Sequence, residues 1–87
     1  MDREEFITAI ILLGFAHTEC SVKSLTHYDS PSTDLRIKLD TGSNTISLWN
    51  TRWFTYINQL QKGLGHDYQV ALENLIPYLN KNNLPFG

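Results

Sequence analysis

The chain of 87 residues carries one cysteine, Cys20, and therefore closes no internal disulfide. That excludes the small secreted scaffolds that depend on cystine staples and points to a reducing, cytoplasmic setting. Long hydrophobic runs are missing too. The stretch from Phe6 to Ala16 is broken by Thr8 and Gly14 and is too short to span a bilayer. Its flank, Asp2-Arg3-Glu4-Glu5, is acidic where a secretory signal needs basic residues, so no membrane association is expected. Charge of one sign is scarce: seven Lys and Arg stand against nine Asp and Glu, a formal net charge of -2. A general nucleic-acid binder usually shows a basic excess, and two negative charges are far too few for a polyacidic mimic of DNA. Internal repeats, low-complexity segments and linkers do not stand out, so residues 1–87 read as one domain, with 81–87 as a frayed tail.

What is present is an ordinary globular composition, 41% hydrophobic and 18% charged. A chain of this size buries about 60–65% of its unfolded surface, enough for a thin core. The strongest local signal runs from Asp34 to Asn50. Leu35, Ile37 and Leu39 alternate with Arg36 and Lys38; after a Gly-containing turn, Ile46 and Leu48 alternate with Thr45, Ser47 and Trp49. Period-two alternation on both sides of a turn predicts a hairpin. Setting Asp40 opposite Thr45 leaves Thr41-Gly42-Ser43-Asn44 as a four-residue loop. Leu39 then faces Ile46 and Ile37 faces Leu48 on a helix-covered side. Lys38 faces Ser47 and Arg36 faces Trp49 on the other side, which is left for solvent or a partner.

Upstream, Asp2 and Glu5 form a capping box for a helix over about Arg3 to Leu13, with Phe6, Ile10 and Leu13 at helical spacing. Gly14 suits the left-handed position that ends it, and Phe15 folds back on Ile10. In residues 17–28, Val22 and Leu25 differ in parity, which a strand bulged near Lys23–Ser24 reconciles. Asp29-Ser30-Pro31-Ser32 makes a turn, so three strands form an antiparallel meander. Asn50 or Thr51 serves as N-cap of a second helix. Trp53, Ile57 and Leu60 form its stripe, and it ends at Lys62 with Gly63 beyond. Asp67 caps a third helix with the stripe Tyr68, Leu72, Leu75 and Leu79. Pro77 within that stripe predicts a kink, or an end near Ile76. Asn80 to Asn83 read as a turn-prone tail, and Leu84-Pro85-Phe86 as a segment that docks or frays. The expected class is α+β in the order α-β-β-β-α-α, with the helices on one face of a three-stranded antiparallel sheet.

Catalytic chemistry finds little footing. His17, Cys20 and His27 space as H-x2-C-x6-H, yet zinc needs four ligands, or three and an open position. Only Glu19 or Asp29 stands by to complete the set. A Cys20–His17 or Cys20–His27 dyad lacks an oxyanion hole, and free cysteine is among the most buried residue types. Glu4 and Glu5 serve the first helix. Gly63-Leu64-Gly65 follows a helix, not a strand, and the third glycine of the dinucleotide fingerprint falls on Tyr68. No catalytic residue, metal or cofactor is expected.

The outer sheet face is the remaining candidate. Arg36, Lys38, Ser47 and Trp49 belong to it, with Tyr28 nearby and Arg52 just past the strand end. Basic groups interleaved with aromatics suit an acidic protein partner, since Trp, Tyr and Arg dominate interface hot spots. They equally suit stacking on single-stranded nucleic acid. A purely structural account has Arg36 stacked across the Trp49 indole as a sheet stabiliser. The sheet edge at 17–28, guarded only by Lys23, also offers a route to a homodimer or to capture of an extended peptide.

Without its last helix, the order α-β-β-β-α resembles the double-stranded RNA-binding domain. That family bridges phosphates with a Lys-rich N-terminus on its last helix. Here the corresponding positions read Asn50-Thr51-Arg52-Trp53 or Gly65-His66-Asp67-Tyr68. In size and element order the chain also resembles small phage-encoded inhibitors of host defence, among them some anti-CRISPR proteins. That resemblance implies a domain without an active site that occludes a partner's surface. The expected function is a non-enzymatic protein-binding module, an inhibitor or adaptor, with single-stranded nucleic-acid binding through the same face as the alternative.

Overall fold

A computed structural model describes residues 1–61 and 67–83. Helix α1 (Arg3–Leu12) leads into strands β1 (Ala16–Thr18), β2 (Leu25–Ser30), β3 (Leu35–Asp40), β4 (Thr45–Asn50) and β5 (Thr55–Gln59), and helix α2 (Tyr68–Asn83) closes the order. The strands form one five-stranded antiparallel sheet in sequence order, β1-β2-β3-β4-β5. The class is therefore α+β, with five strands and two helices among the described residues.

The capping box forms as the sequence requires. Glu5 N–H donates to Asp2 Oδ1 at 2.8 Å, and Asp2 N–H donates to Glu5 Oε1 at 2.9 Å. Gly14 takes a left-handed φ of 103°, and Phe15 N–H returns to the Ile10 carbonyl at 3.0 Å. The central hairpin has the expected register throughout: Asp40 opposite Thr45, Leu39 opposite Ile46, Ile37 opposite Leu48, and Arg36 opposite Trp49. Its inward row meets Phe6, Ile10, Leu60, Ala71, Leu75 and Leu79 from the rest of the chain in one core. Both helices thus cover the same face, and Phe6 meets Tyr68 at 5.4 Å between ring centroids.

Beyond that hairpin the architecture departs from expectation in three places. Residues 17–28 are not one bulged strand: β1 holds only three residues, and the connection to β2 contains Val22, so the parity of Val22 and Leu25 has no bearing on pairing. The expected open edge is thereby split, because β2 lies between β1 and β3. The second helix is absent, and its sequence forms β5, paired to β4. The ladder matches Leu48 with Asn58 and Trp49 with Tyr56, leaving Ile57 as the extra residue of a bulge. That bulge turns Ile57 toward the core while Tyr56 stays outside. Finally, of the two outcomes expected at Pro77, the end near Ile76 does not occur: α2 continues through Pro77 to Asn83, and the expected turn at Asn80 to Asn83 is helical. Glu73 and Pro77 lie on its exposed side, where the carbonyl that loses its intrahelical donor is open to water. Gly63, the Gly63-Leu64-Gly65 motif and the segment Leu84-Pro85-Phe86 lie outside the described residues.

A regularity hidden in the sequence appears in the fold. Strands begin at Leu25, Leu35, Thr45 and Thr55, a ten-residue period. The intervening loops, 31–34, 41–44 and 51–54, each hold four residues, and each ends on a positive φ: Asp34 at 56°, Asn44 at 60° and Phe54 at 54°. The residue before each loop anchors it. Ser30 accepts Thr33 N–H through its carbonyl, Asp40 Oδ1 accepts Gly42 N–H, and Asn50 Oδ1 accepts Trp53 N–H. Side-chain amides finish the sheet's far corner. Gln61, almost wholly buried, accepts Ile46 N–H at 2.7 Å and donates to the Asn44 carbonyl at 3.3 Å. Asn74 ties α2 to the Leu60 carbonyl.

Candidate functional site

Strand alternation puts Leu25, His27, Asp29, Arg36, Lys38, Asp40, Thr45, Ser47 and Trp49 on the side of the sheet opposite the core. Tyr56 and Gln59 extend this face onto β5. Of the residues the sequence places there, Arg36, Lys38, Ser47 and Trp49 share it, and Arg52 sits just beyond β4 in the 51–54 loop. Tyr28 does not join them. It pairs with Ile37, points inward and is 7% exposed within the core. Its register partner decides this: a residue opposite Ile37 shares Ile37's face, and Ile37 is fully buried.

Trp49 is the centre of the face. Its Nε1–H donates to Ser47 Oγ at 2.9 Å, which fixes the ring plane. Lys38 Nζ lies 3.8 Å from the ring centroid, and Tyr56 meets the indole edge-on with centroids 5.5 Å apart. The stacking cation is thus Lys38, not Arg36. Arg36 turns to the neighbouring strand and grips Asp29 with both arms, Nε to Oδ1 at 2.7 Å and Nη2 to Oδ2 at 2.9 Å. Two parallel N–H···O⁻ bonds outcompete a stack for a guanidinium, and they raise the Arg36 pKa above its ordinary value. Beside Trp49 lies a shallow depression of about 300 Å³ whose lining includes Leu25, Lys38, Asp40, Trp49, Tyr56 and Gln59.

His27, which the sequence offered only as a metal or base candidate, is 8% exposed on this same side, and its Nε2 has no hydrogen-bond partner. Burial lowers its pKa, and the Arg36 and Lys38 charges lower it further. Its register partner is Lys38, and the Asp29–Arg36 pair lies one step further along the same face. His17 is on the opposite face, edge-on to Tyr28 at 5.5 Å. The two imidazoles therefore cannot close on one metal, and no cluster of three His, Cys, Asp or Glu side chains occurs among the described residues. No described helix is long and apolar enough to cross a membrane.

The 51–54 loop adds Trp53, which sequence reasoning assigned to a helix stripe, and Phe54, which it set beside that stripe. Trp53 and Phe54 are 67% and 76% exposed, and Arg52 stacks on Trp53 at 5.3 Å. Two adjacent aromatics one residue after an Asn-Thr pair, where polar turn residues are the rule, are the signal that could have exposed them. Comparison with known proteins finds no matching family model, no matching curated protein and no matching solved structure.

Proposed function

We propose that the chain is a non-catalytic protein-binding module that docks on a protein partner through the uncovered sheet face. An inhibitor or adaptor that occludes the partner's surface is the concrete form of this reading. The observation that carries it is Trp49, clamped by Ser47, Lys38 and Tyr56 at the rim of an open depression. A tryptophan immobilised before binding loses little entropy on docking, and Trp and Tyr with a cation are the residue types that dominate binding hot spots. Arg36 serves this reading as a positioning residue, since Asp29 already neutralises it. The resemblance to small phage-encoded inhibitors rested on size and on the order α-β-β-β-α-α, and with five strands in one sheet only size and the α+β class still speak for it.

The test is a comparative pull-down, with mass spectrometry, from the cell that makes the protein. The bait is the wild type or the pair Lys38→Glu with Tyr56→Ala, both held well below the melting temperature of the variant. A protein retained by the wild type and lost from the variant supports the reading; an identical set of captured proteins refutes it. Titration of a labelled single-stranded oligonucleotide at low and high salt addresses the alternative, because phosphate contacts make log K fall steeply with log salt.

A further inference from the structure

The third hairpin loop breaks the pattern of the other two. At the position with left-handed φ, loops 31–34 and 41–44 carry Asp34 and Asn44, residues that tolerate it, whereas loop 51–54 carries Phe54 at 54°. Phe54 is also 76% exposed and Trp53 67%. The chain thus accepts backbone strain and wet aromatic surface at a single convex tip, and strain of this kind persists where a function uses it. Arg52, stacked on Trp53, makes no ion pair among the described residues.

A second exposed apolar surface lies elsewhere on the same chain. Helix α1 is apolar around most of its circumference, and its outward side leaves Leu12 82% and Ile11 51% exposed. A depression of about 460 Å³ runs along it, floored by Thr8, Ala9 and Leu12 and bordered by Glu4 and Glu5. Glu5 is engaged in the capping box, while Glu4 forms no ion pair among the described residues. One surface is a cation-flanked aromatic pair and the other a shallow apolar patch bordered by acids; their charges are complementary.

We propose that the protein self-associates head to tail, the 51–54 tip of one copy seated on the α1 patch of a second, with Arg52 against Glu4. Such a contact is heterologous, so it closes into a ring or continues as a chain. The docking face around Trp49 and Lys38 is not required for it, and the test needs no other protein.

Sedimentation equilibrium over about 10 μM to about 1 mM reads the association directly, in the range expected for a small interface. The wild type is expected to rise in weight-average mass above the 10.0 kDa monomer. Phe54→Asn and, on the patch side, Leu12→Gln each weaken association at least tenfold while melting cooperatively. Arg52→Glu and Glu4→Arg each weaken it similarly, and the double variant regains it. A wild type that stays monomeric at every concentration overturns the proposal. So does association that survives either Phe54→Asn or Leu12→Gln, which would move the contact to another surface such as the β5 edge. Co-sedimentation of a monomeric wild type, but not of Phe54→Asn, with phosphatidylserine-containing vesicles also overturns it and assigns the tip to a lipid surface.

Discussion

Replacing Phe54 with asparagine should leave the fold as stable as the wild type or more so, an unusual expectation for the loss of a large aromatic. An L-residue other than Gly, Asn or Asp pays roughly 1–2 kcal/mol to hold a left-handed conformation, and Phe54 holds one at φ 54°. Asparagine recovers most of that, as Asn44 shows at φ 60° in the equivalent place of the preceding loop. Against this stands lost burial. Phe54 is 76% exposed, so of the ~200 Å² a phenylalanine offers roughly 50 Å² is covered, and asparagine keeps about half. The ~25 Å² forfeited costs about 0.6 kcal/mol at ~25 cal/mol per Å². The balance is a stabilisation of about 0.5 kcal/mol, a rise in Tm of roughly 2–4 °C for a domain of this size.

The reciprocal change, Asn44→Phe, should cost about 1 kcal/mol, since it imports the strain without any prepared contact. Urea melts of both variants at neutral pH, with the slope m checked for constancy, measure the pair. Destabilisation of Phe54→Asn by more than ~1 kcal/mol would refute the reasoning. It would mean that Phe54 packs as a structural residue and that the tip is not free to dock.

Two further outcomes follow from the outer face. Lowering the pH from about 7.5 to about 5.5 should destabilise the protein, because His27 is held below its ordinary pKa of 6.5 by burial and by the nearby Arg36 and Lys38, opposed only by Asp29. The unfolded chain then binds the proton more readily than the folded one, so stability is lost as pH falls through 6.5 toward the folded pKa. His27→Gln should flatten the slope in urea melts, and an unchanged slope would assign it to other groups. A double-mutant cycle on Asp29→Ala and Arg36→Ala should return a coupling of about 0.5–1.5 kcal/mol, discounted for side chains that remain about one-fifth exposed; coupling near zero would leave the bidentate grip without energetic weight.

The central hairpin was legible because alternation and turn chemistry agreed: Leu35, Ile37 and Leu39 on one side, and a Gly-containing loop after Asp40. The capping box and the Asp67 start of α2, where Val70 N–H donates to Asp67 Oδ1 at 3.2 Å, were legible because short-range hydrogen bonding alone decides them. β5 was not, for three physical reasons. An Asn that receives a backbone N–H three residues on, as Asn50 does from Trp53, starts a turn and a helix with the same bond. Trp53, Ile57 and Leu60 fall at helical spacing by accident of the loop and the bulge. The bulge at Ile57 also destroys the period-two signal that would have revealed the strand. The site suffered from the same ambiguity one strand away. Without the β2 register, nothing in the sequence set Asp29 beside Arg36 or sent Tyr28 inward.

The ten-residue period gives these departures a common meaning. Three successive loops are built on one backbone plan, so the fold itself supplies a control for each position. Loops 31–34 and 41–44 show what the plan needs: small turn-forming residues and a terminal Asp or Asn. Whatever loop 51–54 adds beyond that need, Arg52, Trp53 and Phe54, does not serve the turn. Their exposure shows that it does not serve the core either. A sequence that satisfies the same geometry twice with Asp and Asn, and the third time with phenylalanine, supports the proposed contact between copies. The Trp49 cluster is different in kind, because Ser47, Lys38 and Tyr56 would stabilise the sheet even with no partner present. Energetic measurements on the two surfaces should therefore diverge: substitutions around Trp49 should cost stability and binding together, whereas those at the tip should separate them.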